Sequence, residues 1–386
     1  MANIKDFVDQ AVDLSTKFDK TDKSHGEVLQ LIYENNSELV EKLKGQKIVD
    51  IEVVDIGKNK GYASYVYRVN LHFDSTGTYS FVLKVPTLDS WERISIDLTD
   101  EEREHNAIMI RQHHNTECAS YDLLKDIANF PIPKVWYAKE VDETQVVDFQ
   151  VYVECCLSED KWFDKFKHNM HARSSVDHIW KKMIRPIEDY EQDKGLQAKI
   201  KHILNIDFFA LGKYATETIA HEMGCETLVH GDVWTNNMLL KINPDGSLSD
   251  EILGIIDWQT VFVGSPLFDI ARFLGNCASG ELRREIEKDL VDFFYDQLTE
   301  KLGANGKKPK FTREQAHFLY KYAIVQETGL LCVMFAVIAL PLKDSEKDQA
   351  DVQKLAKRLN DLFDDAIQFM DEHGLHEKFK LQPDML

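Results

Sequence analysis

The chain has 386 residues, of which 44% are apolar and 29% are charged, a balance typical of a globular protein with room for two packed domains. Its formal net charge of −20 argues against binding to nucleic acid, because the phosphate backbone requires basic surface patches. The charge is compatible with a cationic or a neutral small-molecule partner and does not choose between them.

The first 45 residues have the pattern of helices. Apolar residues near the N-terminus recur at the spacing of one helix face, which predicts an amphipathic helix: Ile4, Phe7, Val8, Ala11, Val12. Lys5 and Asp6 interrupt this stretch, so it lacks the apolar run of a signal peptide.

From about residue 47 to 86 the pattern changes to strands. Two alternating runs flank the turn Asp74–Gly77 and predict a hairpin. In the second run Lys84 lies on the face opposite Tyr79, Phe81 and Leu83. A lysine inside an apolar strand needs an anionic partner, unless its aliphatic stem carries the ammonium group out to solvent.

Helices are predicted for most of the rest of the chain. Leu98–Gln112 has a helical pattern, Pro131–Val153 suggests a further strand pair, and helical patterns dominate from about residue 158. Thr328–Leu342 is apolar but too short for a bilayer, so we expect a buried core helix and no membrane span. Strands that cluster before residue 155 predict an α+β fold.

The six cysteines form no CxxC pair and no zinc spacing. A disulfide framework is therefore not expected, and a reducing compartment, the cytoplasm, is favoured. The paired histidines His113 and His114 have no cysteine or carboxylate at ligand spacing, so surface histidines are a better interpretation than a metal site.

The strongest chemical signal is a loop that begins at His230. Asp232 and Asn237 are five residues apart and precede an apolar strand, and Asp257 ends the next apolar strand. Two carboxylates and an amide at the two ends of one hairpin can converge on one point. Phosphoryl transfer needs this grouping, with one carboxylate to accept a hydroxyl proton and two oxygen ligands for Mg²⁺. The alternative is that Asp232 caps a turn and Asp257 merely ends a strand.

The sequence resembles the choline kinase and aminoglycoside phosphotransferase superfamily, and within it the CHK kinase-like branch, also called ecdysteroid-kinase-like. Three segments carry the resemblance: His230-Gly231-Asp232-x-Trp234-x-x-Asn237, Asp257-Trp258-Gln259, and Pro266-Leu267-Phe268-Asp269-Ile270-Ala271. The resemblance implies an ATP-dependent phosphotransferase with a protein-kinase-like, two-lobed fold. It implies an N-terminal lobe over residues 1–153, a hinge over 154–157 and a helical C-terminal lobe over 158–386.

The resemblance also assigns roles to residues. Asp232 is the expected catalytic base, and Asn237 and Asp257 are the expected magnesium ligands. His230 and Asp269 are expected to support the catalytic loop.

Further residues are expected to bind ATP. By the resemblance, Lys84 reaches the phosphates and pairs with Glu104 on the following helix, although Glu101 and Glu102 are close competitors. A loop that contains Gly61 and ends at Ser64 lies where a phosphate-covering loop belongs, and backbone N–H groups there could bind phosphate oxygens.

The connector between the lobes is the expected adenine site. Glu154 and Cys156 are the candidates for backbone hydrogen bonds to the base, by resemblance alone. Cys155 and Cys156 could form a redox switch, but two small buried residues beside the adenine are the simpler interpretation, because free cysteine is commonly buried.

The acceptor is expected to be a small molecule. Gly231 occupies the position where protein kinases carry an arginine that engages a phosphorylated activation loop. Eleven residues between Asp257 and Asp269 leave little room for peptide docking. A protein kinase and a catalytically inactive kinase-like binding module remain as alternatives, and the sequence does not decide the oligomeric state.

Three residues are candidates for contact with the acceptor. Trp234 and Trp258 could offer an aromatic face to a steroid ring or a quaternary amine, although either could equally belong to the core. Gln259 offers both donors and an acceptor. The sequence does not identify the acceptor, and choline-, aminoglycoside- and ecdysteroid-like alcohols all remain open.

Overall fold

In the computed structural model the described residues are 3–57, 64–87, 99–127, 129–140, 184, 187–190, 193–336 and 346–380. The chain forms two compact units. The first consists of Met1–Cys118 and Lys134–Glu154, and the second of Ala119–Pro133 and Cys155–Leu386. The predicted hinge over residues 154–157 lies outside the described residues.

The first unit contains a three-stranded antiparallel sheet in the order β1 (Ile48–Asp55), β2 (Ser64–Phe73), β3 (Thr78–Pro86). The hairpin predicted around Asp74–Gly77 is confirmed, with Tyr65 opposite Val85 and Leu71 opposite Tyr79. The apolar face of this hairpin is buried together with the two helices α1 (His25–Asn35) and α2 (Ser37–Lys42).

The predicted N-terminal amphipathic helix is wrong. Ile4–Phe7 is one turn of 3₁₀ helix, capped by Asn3. Val8 then pairs in parallel with Ile48, and the N–H of Asp9 donates to the Ile48 carbonyl at 2.8 Å. The Asp9 carboxylate accepts from the N–H two residues further on, a local hydrogen bond that competes with helix formation.

The helix predicted over Leu98–Gln112 is α3, Asp100–Leu124, and it is longer than expected. The described part of the predicted strand pair, residues 129–140, contains no strand. The second half of that pair, residues 149–153, lies outside the described residues.

The second unit is mainly helical. Its helices are α4 (Lys194–Leu204), α5 (Phe208–Lys213), α6 (Ile219–Glu222), α7 (Phe268–Cys277), α8 (Gly280–Gly303), α9 (Arg313–Met334), α10 (Glu346–Glu372) and α11 (Leu375–Lys378). Two small antiparallel sheets complete it, β4 (Thr227–Val229) with β7 (Phe262–Gly264) and β5 (Met238–Ile242) with β6 (Leu248–Ile255).

Helix α9 forms the centre of the second unit's core. Its residues from Tyr322 to Gly329 are all buried, on every side of the helix. The expected core helix is thus confirmed for the part of Thr328–Leu342 that the structure describes. Among the helices of the described residues, none combines the length and apolar character needed to cross a bilayer.

A π-helical turn, Tyr214–Thr218, joins α5 to α6 and packs beside β7. The extra residue of a π turn frees one carbonyl group, and the Thr216 carbonyl accepts a hydrogen bond from the N–H of Ser265 at 2.6 Å. Gly264 is required here, because a Cβ atom at this position would lie 2.3 Å from that carbonyl oxygen. This contact anchors β7. Strand β7 pairs with β4, and β4 ends at the residue before His230.

The predicted α+β class is confirmed. One unit is built on an antiparallel sheet with a lysine on its third strand, and the other is mainly helical and carries the hairpin β5–β6. This is the order of elements that a kinase-like fold requires.

Candidate active site

The loop 230–237 joins β4 to β5, and Asp269 on α7 holds its first two residues. The Oδ2 atom of Asp269 accepts from the N–H of His230 at 2.8 Å, and the Oδ1 atom accepts from the N–H of Gly231 at 2.9 Å. Desolvation raises the pKa of Asp269, although His230 and these two N–H groups lower it. The structure therefore brings His230 and Asp269 together as the sequence predicts.

Gly231 cannot be replaced without strain. Its φ of 83° lies in the left-handed region, and a Cβ atom would come within 2.5 Å of the Thr260 carbonyl oxygen. Thr260 is held in place by its hydroxyl, which donates to the His230 carbonyl at 3.0 Å. The absence of an arginine at position 231 thus has a backbone reason.

His230 links the loop to the end of β6. Its Nδ1 atom lies 3.1 Å from the N–H of Asp232, so it accepts there, and its Nε2 atom donates to the Ile256 carbonyl at 3.0 Å. The imidazole packs against the Trp258 indole with ring centroids 4.4 Å apart. These bonds position Asp232 next to the strand that leads to Asp257.

Trp258 is a buried core residue, which is one of the two interpretations that the sequence left open. Its side chain is buried and packs against Phe130, and its Nε1 atom donates to the Ile255 carbonyl at 2.8 Å. Trp258 therefore supports His230 through the contact between the two rings.

Asp232, Asn237 and Asp257 come together. The Nδ2 atom of Asn237 donates to the Asp232 backbone carbonyl at 2.9 Å and to its Oδ2 atom at 3.1 Å. The Asn237 carbonyl accepts from the N–H of Ile256 at 2.9 Å, directly before Asp257. The backbone bond to Ile256 thus places the end of β6, where Asp257 follows, next to Asn237.

These residues fit a magnesium ion. The Asn237 side-chain nitrogen is engaged by Asp232, so the Oδ1 oxygen is the atom that can face a cation. Asp257 stands in the left-handed conformation, with φ 67°, where β6 ends, and it supplies a carboxylate. Amide and carboxylate oxygens are the hard ligands that Mg²⁺ prefers.

The candidate acceptor residues Trp234 and Gln259 each make a hydrogen bond to one residue of this group. Trp234 is partly buried, and its carbonyl accepts from the N–H of Asn237 at 2.9 Å. The Nε2 atom of Gln259 lies 3.4 Å from the Oδ2 atom of Asp257. The predicted contact of Trp234 and Gln259 with an acceptor stays a prediction.

Arg272 is part of this site, although it was not among the residues predicted from the sequence. Its Nη2 and Nε atoms donate to the Asp232 Oδ1 atom at 2.7 and 3.2 Å. Its Nη1 atom donates to both carboxyl oxygens of Glu327, at 2.9 and 3.2 Å. A signal existed, since an arginine inside the apolar run of α7 needs an anionic partner for the same reason as Lys84 does.

Burial shifts the pKa values of this cluster. Burial raises the pKa of Glu327 to about 8, although Arg272 opposes the shift. Burial disfavours the Arg272 cation, but Glu327 and Asp232 outweigh this effect and raise its pKa above the ordinary value. The guanidinium group is therefore charged at every relevant pH.

In the first unit, Lys84 pairs with Glu117 and not with Glu104. The Lys84 Nζ atom donates to the two Glu117 oxygens at 2.6 and 2.9 Å, and the Glu117 side chain is 7% exposed. Glu104 is exposed, 13 residues earlier on α3. Lys84 thus has a glutamate partner on the following helix, as predicted, but the partner lies more than three turns after Glu104.

The other predicted ATP contacts are placed only in part. Ser64 is partly buried and begins β2 opposite Pro86. Gly61, Glu154 and Cys156 lie outside the described residues. Their expected contacts with ATP remain predictions.

A protein-family model matches residues 152–373, more than half of the 386 residues. The chain belongs to the DUF1679 family. The description of this family reads "Uncharacterized oxidoreductase dhs-27". The matched region contains the loop 230–237, Asp257, Arg272 and Glu327, so the whole cluster of the second unit belongs to the DUF1679 part of the chain.

Two curated proteins are similar to this DUF1679 chain. "Uncharacterized oxidoreductase dhs-27" of Caenorhabditis elegans is 23% identical over 418 aligned positions that cover 93% of this chain and 48% of the relative. A "4-hydroxytryptamine kinase" of Psilocybe cubensis is 25% identical over 119 positions, 31% of this chain and 29% of the relative. The chain thus spans about half the length of the nematode relative and less than a third of the fungal one.

Two solved structures are also similar to it. An aminoglycoside 2'-phosphotransferase-IIIa mutant in complex with GDP matches with a TM-score of 0.38 and 13% identity, over 90% of this chain and 97% of that chain. A mutant of the aminoglycoside phosphotransferase APH(4)-Ia with ADP and hygromycin B matches with a TM-score of 0.33 and 14% identity, over 86% of this chain and 98% of that chain.

Proposed function

We propose that this protein is an ATP-dependent phosphotransferase of the CHK kinase-like branch that moves the γ-phosphate of ATP to a hydroxyl group of a small molecule. One observation carries the proposal: hydrogen bonds tie Asn237 to Asp232 and to Ile256, the neighbour of Asp257, in a loop whose first two residues are held by Asp269. A carboxylate beside an amide and a second carboxylate is the set of groups that phosphoryl transfer needs.

Asp232 is the base in this proposal. Its carboxylate accepts the proton as the O–H bond of the acceptor breaks. The acceptor oxygen forms a bond to the γ-phosphorus, and the bond between that phosphorus and the bridging oxygen breaks, so that ADP leaves with the bonding electrons. Trp234 and Gln259 are the proposed contacts of the acceptor.

In this proposal Asn237 and Asp257 are the residues that would hold a magnesium ion. Bound magnesium would neutralise negative charge on the phosphate oxygens. The hydrogen bond from Asn237 to Asp232 keeps the amide oxygen directed away from the base, which orients it for a cation.

Lys84 is the proposed phosphate contact in the first unit. Its ion pair with the buried Glu117 fixes the Nζ atom, and this restriction reduces the conformational entropy that a flexible lysine would lose on binding. Gly61 and Ser64 are the proposed backbone contacts to the phosphates, and Glu154 and Cys156 those to the adenine.

A small hydroxylated molecule is the acceptor class that the comparisons support. The fungal relative is named for the phosphorylation of such a molecule, 4-hydroxytryptamine, over a part of this chain. The word oxidoreductase describes the nematode relative, and 52% of that relative's length lies outside the match. We propose a kinase activity for this chain, which matches about half of the nematode relative, with a choline-, aminoglycoside- or ecdysteroid-like alcohol as acceptor.

The proposal is tested by nucleotide binding followed by turnover. We expect Mg-ATP to raise the Tm of the purified protein, while NADH and NADPH leave it unchanged. Wild type should then phosphorylate at least one compound in a library of hydroxylated metabolites, detected by ADP release. Asp232→Asn should bind Mg-ATP normally but turn over at least about a hundredfold more slowly.

Two variants separate the roles of the site residues. Asp257→Ala should weaken binding of Mg-ATP much more than binding of ATP in EDTA, because it removes a metal ligand. Stabilisation by NADH without stabilisation by Mg-ATP would contradict the kinase proposal. Binding of Mg-ATP without transfer to any compound or to water would leave the inactive binding module as the better function.

A further inference from the structure

We propose that Arg272 is a positioning residue for phosphoryl transfer: it holds the Oδ1 atom of Asp232, so that Oδ2 is the oxygen that takes the acceptor's proton. The inference rests on the proposed phosphotransferase function. It assigns a task to a residue outside the three motif segments that carry the family resemblance, and it names the atom of the base that reacts.

The hydrogen bonds at Asp232 distinguish its two carboxylate oxygens. Each oxygen has two lone pairs. Oδ1 accepts from both Nε and Nη2 of Arg272, at 3.2 and 2.7 Å, which uses both of its lone pairs. Oδ2 accepts from Asn237 at 3.1 Å, which leaves one lone pair for a ligand. The Asp232 side chain is 22% exposed, so this oxygen belongs to a group that a substrate can reach.

Arg272 is itself fixed by a second acid. Its Nη1 atom donates to both carboxyl oxygens of Glu327, whose side chain is fully buried. The Nδ2 atom of Asn276 donates to Glu327 at 2.8 Å and to the Arg272 carbonyl at 3.0 Å. The planar guanidinium group is thus clamped between two acidic side chains and cannot turn without breaking bonds to both.

The packing of α7 against α9 makes this clamp possible. A Cβ atom at Gly275 would lie 2.7 Å from the Glu327 Cγ atom, so a glycine is needed for Glu327 to approach. Asp269 and Arg272 are three residues apart and therefore lie on one face of α7. On that face, Asp269 binds the backbone of the loop 230–237 and Arg272 binds the side chain of Asp232.

A positioning role explains why the largely buried ion pair between Arg272 and Asp232 is kept here. A buried pair adds little net stability, because desolvation of the two charges offsets their attraction. A carboxylate free to rotate, however, would present either oxygen to the acceptor in many orientations. Restricting Asp232 to one orientation brings the base into the reactive geometry before the acceptor binds.

The test compares two buried arginines of the same unit. Turnover is measured as phosphate release from Mg-ATP in buffer, with water as the phosphoryl acceptor, so that no acceptor needs to be known. Arg272→Lys keeps the charge but removes the planar guanidinium group with its several N–H donors. We expect kcat to fall about tenfold to a hundredfold with the KM for Mg-ATP within twofold.

The control is Arg283→Lys, since Arg283 is also buried and also pairs with two acids, Glu287 and Asp365. It should lower Tm by a similar amount and leave kcat within twofold.

A double-mutant cycle shows whether Arg272 acts through Asp232. In the Asp232→Asn background, Arg272→Lys should cause no further loss of turnover, because the oxygen that it positions no longer accepts a proton. If Arg272→Lys does not fold, Glu327→Gln replaces it in both experiments, and we expect a smaller fall in kcat that is likewise absent in the Asp232→Asn background.

The outcomes separate this inference from the proposed function. An active wild type with Arg272→Lys, or its replacement Glu327→Gln, at full kcat would overturn the positioning role alone, and so would losses that multiply in the double mutant. A wild type that releases no phosphate to water or to any library compound would overturn the proposed function, and the positioning role with it.

Discussion

The backbone at Gly231 has a φ of 83°, and the next residue in the chain is the proposed base. The N–H of this glycine donates to Asp269, and the space where a Cβ atom would stand is occupied by the Thr260 carbonyl oxygen. Both the conformation and the close approach demand glycine. An arginine at this position, as protein kinases have, would not fit this loop.

Gly231→Ala is expected to lower both stability and activity. The left-handed conformation costs a residue with a side chain about 1–2 kcal/mol, and the clash with Thr260 adds about 1–3 kcal/mol. The control is Gly246→Ala in the turn between β5 and β6, where φ is 85° and no atom lies within 4 Å of the added Cβ. Urea unfolding should show the smaller loss for Gly246→Ala. Equal losses for the two variants would mean that Thr260 moves aside without cost.

Helix α3 shows how the role of a glutamate depends on its position along the helix. Glu104 and Glu117 have the same chemistry, but one is exposed near the N-terminal end and the other is buried against Lys84. Buried neighbours share this section of the helix. The Nε2 atom of His114 donates to the Lys139 carbonyl at 2.6 Å, and burial lowers the pKa of this histidine. The lysine–glutamate pair therefore lies in a buried section of α3.

We expect Glu117→Gln and Glu104→Gln to behave differently. Glu117→Gln removes the charge that holds Lys84, so kcat/KM for Mg-ATP should fall at least about tenfold, as expected when a charge-assisted hydrogen bond is lost. Glu104→Gln should keep kcat/KM within twofold, because the side chain is exposed. Steady-state kinetics of the two purified variants decides the matter, and a larger loss for Glu104→Gln would restore the pairing expected from the sequence.

Each of the two compact units has a hydrophobic core of its own. The first unit buries the apolar face of the hairpin β2–β3 with residues of α1 and α2. The second buries most of α9 together with residues of α7 and α10. The second unit also buries charged groups, Arg272 and Glu327 among them. Their ionisation therefore bears on global stability.

Stability is expected to fall as the pH rises towards about 8. The folded-state pKa of Glu327 is raised to about 8 from an ordinary value of 4.5, so the folded protein binds this proton more tightly than the unfolded chain does. Its contribution is fully present below pH 4.5 and is lost as the pH rises through the folded-state value.

The measurement is the free energy of unfolding in urea at several pH values, for wild type and for Glu327→Gln. The difference between the two proteins should change by about 2–3 kcal/mol between pH 6 and 8.5, with wild type losing more stability. Parallel pH profiles would show that Glu327 has the same protonation state in the folded and unfolded chains.

Local patterns in the sequence determined the parts of this protein that depend on neighbouring residues. The alternation around Asp74–Gly77 predicted the hairpin because strand pairs across a short turn have a side-chain period of two. The spacing of Asp232, Asn237 and Asp257 predicted their convergence because one short hairpin connects them. In the same way, the apolar run that begins at Thr328 predicted a buried helix.

The tertiary structure alone decided which distant residues pair. Lys84 meets Glu117 across 33 residues, and Asp232 meets Arg272 across 40, because the packing of whole helices sets those distances. Trp258 is buried because Phe130 and His230 pack against it from other parts of the second unit. Charge and size at one position state that a partner is needed, but only the packed chain determines which residue supplies it.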